Sequence, residues 1–258
     1  MKKELLSSNS IQVRTVNYEN NMGGRIVISL VMRTILFIIF GALFVGIFAL
    51  AGKSSPLHEA EKWWPFQAIF ANIVTFLILR SFLKMEGYSY LSIFNYKKGR
   101  AKKDTLETLS LIVVGFLAGA IPLFLFSYIL LGSFTPPEVM FQKLPLWAAA
   151  IALVLFPISN GLVETPTYIG YALPRIKERS GKLWLAILLS GLFLAFQHVA
   201  LPLVFDGPYM MWRFLSFLPL ALILGLIYSK TNRLLPIAIA HFLMDLQLVV
   251  QLLLLTMK

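Results

Sequence analysis

Apolar residues in this chain come in long uninterrupted runs rather than in stripes or alternation. Seven such windows can be drawn, at about 30–52, 63–83, 106–132, 145–173, 183–204, 212–229 and 234–256. A hydrocarbon layer of roughly 30 Å needs about 20 helical residues, so each window predicts a membrane-crossing helix. The fold class expected is all-α, a polytopic bundle of about seven transmembrane spans. The first 25 residues are polar and carry no cleavable signal pattern. Residues 1–29 then read as a cytoplasmic N-terminal segment and 30–258 as a single membrane domain, with the chemistry concentrated in about 145–256.

Composition agrees with the pattern. Of 258 residues 58% are hydrophobic and 14% charged, which excludes an ordinary soluble domain. Lys and Arg alternate from loop to loop. Eighteen of the 23 fall at the N-terminus (Lys2, Lys3, Arg14, Arg25, Arg33) or in the second, fourth and sixth connections. The other side holds Lys53, Lys62, Lys143, Arg213 and Lys258. This asymmetry puts the N-terminus in the cytoplasm and the C-terminus outside. The net charge of +11 is thereby explained without a nucleic-acid partner. The run Lys97–Lys103 reads as a topology anchor that can also meet anionic lipid. The connection Leu83–Thr105, rich in tyrosine, is expected at headgroup level. Trp63, Trp64, Trp147 and Trp212, near span ends, are expected to anchor at the interfaces. There is no cysteine, hence no disulfide and no thiolate ligand or nucleophile.

Polar residues inside the apolar windows carry the functional signal. Ten of the twelve acidic residues lie in loops, at span edges or in the tails, whereas Glu164 and Asp245 are well inside; so are His198 and His241. An ionisable group at membrane depth costs several kcal/mol unless paired or hydrated, so it marks function by default. Measured from the cytoplasmic ends, Glu164 lies roughly 16 Å deep, His198 roughly 22 Å, His241 roughly 10 Å and Asp245 roughly 16 Å. All four bracket the middle of the bilayer, so tilt could bring them into one cluster. His241 and Asp245, like Asn160 and Glu164, are four residues apart and share a helix face. Pro166 has no N–H, which frees the carbonyl of Leu162 and predicts a break in the fourth span. Irregular backbone at this depth is tolerated where it faces protein or a wet cavity.

Two chemistries fit these groups. Glu164 could take a proton from water that an imidazole orients, with the remaining polar groups stabilising an oxyanion. Alternatively Glu164, His198, His241 and Asp245 offer the oxygen and nitrogen donors of a divalent metal such as zinc. Both amount to hydrolysis of a carbonyl bond within the membrane. Other proteolytic signatures are missing: there is no H-E-x-x-H, no second intramembrane aspartate and no G-x-S-x-G elbow.

The order of these residues resembles the CPBP family, the CAAX-protease and bacteriocin-processing (Abi) intramembrane endopeptidases. Its first motif, E-E-x-x-x-R, lies over Glu164-Thr165-Pro166-Thr167-Tyr168-Ile169, with Thr165 and Ile169 replacing the second glutamate and the arginine. The second appears as Leu194-Ala195-Phe196-Gln197-His198 and the third as His241-Phe242-Leu243-Met244-Asp245. The resemblance implies a multi-pass protein of a prokaryotic plasma membrane that cleaves a peptide or membrane-protein substrate near the cytoplasmic leaflet. Within it, Glu164 and His198 would activate water, while His241 and Asp245 would stabilise the oxyanion or join a metal. The two motif departures keep a non-catalytic scaffold or immunity protein as an alternative. Broken spans with mid-membrane polar groups also suit a small transporter.

The orientation is testable on the cysteine-free background. A single cysteine replacing Lys98 should resist a membrane-impermeant maleimide in intact cells, and one replacing Lys143 should react. The reverse labelling would overturn the assignment.

Overall fold

A computed structural model traces residues 2–258 and describes side chains from Met22 onward. Lys2, Lys3 and Arg14, counted above as cytoplasmic charges, lie outside the described side chains. Among the described residues seven helical stretches are long and apolar enough to cross a membrane: Met22–Leu50, Trp64–Met85, Ala101–Leu131, Leu146–Ser180, Leu183–Ala200, Gly207–Thr231 and Leu234–Met257. They coincide with the seven apolar windows, and no strand occurs among the described residues.

The helices are α1 (Lys2–Leu50), α2 (Pro56–Lys62), α3 (Trp64–Met85), α4 (Ala101–Leu131), α5 (Leu146–Thr165), α6 (Leu173–Ser180), α7 (Leu183–Phe196), α8 (Gly207–Thr231) and α9 (Leu234–Met257). Helices α5 and α9 pack most extensively, followed by α4 on α8 and α7 on α8. Although consecutive, α8 and α9 barely touch, and α4 lies against both. Helix α4 is also the most lipid-facing span: 17% of its apolar window is buried, against 44% for α1.

The fourth span is widened rather than broken. Beyond Thr165 the chain continues as a π-helical stretch, Pro166–Ala172, and then directly as α6. The Leu162 carbonyl, deprived of its donor by Pro166, accepts instead from the Tyr90 hydroxyl at 2.6 Å. Gly170 makes the wide turn packable, because a Cβ there would fall 2.7 Å from Leu234 and 2.9 Å from Ile93. The Leu83–Thr105 connection therefore does not simply float at headgroup level. Its 3₁₀ turn Tyr90–Phe94 docks on the bundle with Phe94 buried, while Tyr88, Leu91 and Tyr96 stay exposed. Arg233 holds this segment in place, donating to the Asn95 carbonyl at 2.7 Å and to Asp104 at 2.6 Å.

Four assignments made from span position change in three dimensions. Trp64 and Trp212 are buried, not interfacial, because each indole N–H reaches a backbone carbonyl at 2.9 Å, of Met140 and Leu123 respectively. Arg33 and Arg213 are not loop charges. Both are buried on helix faces that point into the bundle, where acidic and carbonyl oxygens await them.

One end of the bundle is tied by Glu86, just beyond α3. Its carboxylate accepts from Tyr171 at 2.7 Å, from the Arg175 Nε at 3.0 Å and from Arg25 at 3.4 Å. Burial alone would raise this carboxyl, but the hydrogen bonds from Arg175 and Tyr171 prevail and hold it below the usual carboxylate range. A depressed acid stabilises the fold above its unfolded pKa and loses that contribution as pH falls through the folded one. Glu86→Gln should therefore lower the melting temperature at pH 7. The difference from the parent should shrink as pH drops below about 4.5, read by thermal unfolding in detergent.

Candidate active site

Each side chain singled out in the sequence is delivered by a distinct local device. Glu164 is the penultimate residue of α5, just before the π-helical stretch, a distortion that recurs at functional sites. His198 lies on the 3₁₀ turn Gln197–Ala200 that closes the fifth span, not midway along a helix continuing to 204. That turn is secured by Arg213 of α8, which donates to the carbonyls of Leu201 at 2.9 Å and His198 at 3.4 Å. The Phe217 ring stacks on the His198 imidazole at 3.7 Å and lies 4.9 Å from the Arg213 guanidinium. His241 and Asp245 project from one face of α9, with the imidazole Nε2 3.3 Å from Asp245 Oδ2.

The four groups share one site. Glu164 Oε1 is 3.9 Å from His198 Nε2 and 3.7 Å from His241 Nε2. Close approach of α5 to α9 makes this possible. At Gly161 a Cβ would stand 3.0 Å from the Ala238 carbonyl and 3.1 Å from Phe242. Three of the four retain some exposure, 13% for the His198 side chain, 16% for His241 and 15% for Asp245, against 5% for Glu164. Glu164 is thus the most buried of the four.

Hydrogen-bond partners assign the imidazole protons. His198 Nδ1 faces the carbonyls of Leu194 at 3.0 Å and Ala195 at 3.3 Å, so it carries the proton. Neutral His198 then presents a lone pair at Nε2. His241 Nε2 lies between two carboxylates and must donate, so Nδ1 accepts from the Thr165 hydroxyl at 2.7 Å. Thr165, where the motif has a second glutamate, thereby holds the His241 ring at Nδ1.

Sequence reasoning missed a second polar layer. Arg33 of α1 donates to Glu164 Oε2 at 2.8 Å, to Gln197 Oε1 at 2.6 Å and to Asn72 of α3. The Asn72 amide donates to Asn160 at 2.7 Å and Ser159 at 2.9 Å, and Asn160 donates to Asp245 at 3.0 Å. A signal was present: Arg33 is the lone charge between Ile26 and Leu50. Taking it for a topology anchor concealed its role.

A divalent metal does not fit this arrangement. Among the described residues no group of three or more His, Cys, Asp and Glu side chains could hold an ion. The donor chemistry explains why. Glu164 Oε2 and Asp245 Oδ2 are taken by Arg33 and Asn160, and an ion at Oε1 would share its carboxylate with a buried guanidinium. The ligand set Glu164, His198, His241 and Asp245 expected from the sequence does not close round a cation.

Residues 145–247 match the family model described as Type II CAAX prenyl endopeptidase Rce1-like. The match covers 103 of the 258 residues. No curated protein and no solved structure matches the chain. Seven apolar helices of membrane-crossing length and the match to an endopeptidase family model fit an integral membrane protein. The matched segment contains Glu164, Thr165, His198, His241 and Asp245, whereas α1 and α3, with Arg33 and Asn72, precede it.

Contact at Gly161 generates a test. Gly161→Val drives a branched side chain into α9 backbone and should cost about 1–3 kcal/mol. A several-degree fall in melting temperature is expected, with Gly24→Val, at a position open to surrounding space, as the neutral control.

Proposed function

We propose that the chain is an intramembrane endopeptidase of the glutamate type. The observation that carries this reading is the 3.9 Å separation of two acceptors, Glu164 Oε1 and His198 Nε2. Two lone pairs cannot bond each other, but a water donating one hydrogen to each would fit between them with its own lone pair turned outward. Glu164 takes the proton as water oxygen attacks the peptide carbonyl carbon. The oxyanion accepts from the His241 Nε2–H, which in the resting site faces Asp245 Oδ2 and Glu164 Oε1, while Thr165 holds the ring from Nδ1. Collapse breaks the C–N bond, and Glu164 returns its proton to the leaving amine.

The motif departures do not argue for an inert scaffold, since Thr165 serves His241 and a guanidinium from another helix meets Glu164. With the N-terminus cytoplasmic, the site opens towards the inner half of the bilayer and takes peptide or protein substrates there. The description of the matched family supplies the probe.

Purified protein should cleave an internally quenched peptide ending in a prenylated Cys-Ala-Ala-X sequence, assayed beside its unprenylated twin. Glu164→Gln and His198→Ala should each lower turnover by about 10²–10⁴-fold, and His241→Ala by about 10²–10³-fold. Chelator treatment should leave the rate unchanged. Undiminished cleavage by Glu164→Gln would overturn the assignment, and inhibition by chelator would overturn its metal-free form.

A further inference from the structure

The Glu164 carboxylate has two oxygens, and only one of them faces the imidazoles. The other is held by Arg33, whose surroundings are unlike those of a membrane anchor. The residue is 0% exposed. It stands two helical turns, roughly 12 Å, beyond Arg25 and the polar end of α1. A guanidinium serving as an anchor would extend its tip to the headgroups. Arg33 points inward instead, with the Phe37 ring 5.0 Å from its guanidinium carbon.

We infer that Arg33 is a positioning residue, and that the site is incomplete without the first span. Its three nitrogens engage three acceptors carried by three different elements: Glu164 at the end of α5, Gln197 on the 3₁₀ turn that bears His198, and Asn72 on α3. A planar fork with three directed bonds fixes both the distance and the rotation of the carboxylate. With Oε2 occupied, Oε1 is the oxygen turned to His198 and His241. Through Gln197 the same guanidinium braces the turn carrying His198. Through Asn72 and Asn160 it reaches Asp245 and thus the His241 face. The water-activating and oxyanion-binding halves are registered against one cation.

Chain organisation makes this consequential. The matched segment begins at residue 145, so Arg33 and Asn72 come from helices outside it. Within the segment the motif position for arginine holds Ile169, which is 0% exposed among apolar neighbours that include Ile26 and Leu30 of α1. The cation arrives from α1, next to the face where Ile169 packs.

This inference rests on the glutamate-type reading for its kinetic consequence but not for its geometry, so the test has two arms. On the quenched prenylated peptide, Arg33→Met should lower kcat about 100-fold, with KM within twofold of the parent. Arg33→Lys keeps the charge and loses the fork, and should fall between the two. Parental kcat in Arg33→Met, a loss confined to KM, or no advantage of Lys over Met would overturn positioning. The second arm needs no substrate. Arg33→Met strands a buried carboxylate, so adding Glu164→Gln to it should raise the melting temperature, although Glu164→Gln alone lowers it. Additive shifts would overturn the coupling. Coupled melting with no cleavage even by the parent chain would place the failure in the proposed activity, leaving the Arg33 geometry intact.

Discussion

A carboxylate embedded in an apolar bundle exists only on the terms its neighbours set, and here those terms are set by the Arg33–Glu164 ion pair at 2.8 Å. Neither partner has bulk water to turn to, since their side chains are 0% and 5% exposed. Removing one member of such a pair costs about 3–5 kcal/mol, because the survivor remains charged and buried. The helices that carry them, α1 and α5, are therefore bound by more than apolar contact. Everything placed around Glu164 inherits that register.

The fourth span shows how backbone and chemistry are matched. Proline removes a donor, the helix widens, and the orphaned Leu162 carbonyl finds Tyr90. Burial raises the Tyr90 phenol above its ordinary range, so it stays a donor. The Leu83–Thr105 connection thus repairs the helix next to Glu164, while Gly161, before the distortion, admits α9 and Gly170, within it, admits Ile93. The glutamate emerges where α5 ceases to be regular, with a neighbouring helix close enough to present His241.

The same layer of polar partners bears on the metal question. Histidines and carboxylates in one cavity ordinarily suggest a cation. Here the cation is the protein's own: one Glu164 oxygen accepts from Arg33, and one Asp245 oxygen accepts from Asn160 and lies 3.3 Å from His241 Nε2. His198 Nε2 and His241 Nε2 both lie within 3.9 Å of the other Glu164 oxygen, the grouping on which the proposed water activation rests.

By itself the sequence determined the number and placement of the seven helices, because crossing a bilayer demands long apolar runs that are visible without knowing any contact. It also marked Glu164, His198, His241 and Asp245, since an ionisable residue in such a run is conspicuous. It misread Arg33, Arg213, Trp64 and Trp212, all near span ends, where inward and outward faces carry the same residue types. Only the tertiary structure decided which way those side chains turn. Direction depends on what the neighbouring helix offers, here Glu164 for Arg33 and backbone carbonyls for the other three. The partners lie between 12 and 131 residues away in the chain, a separation that local pattern does not encode.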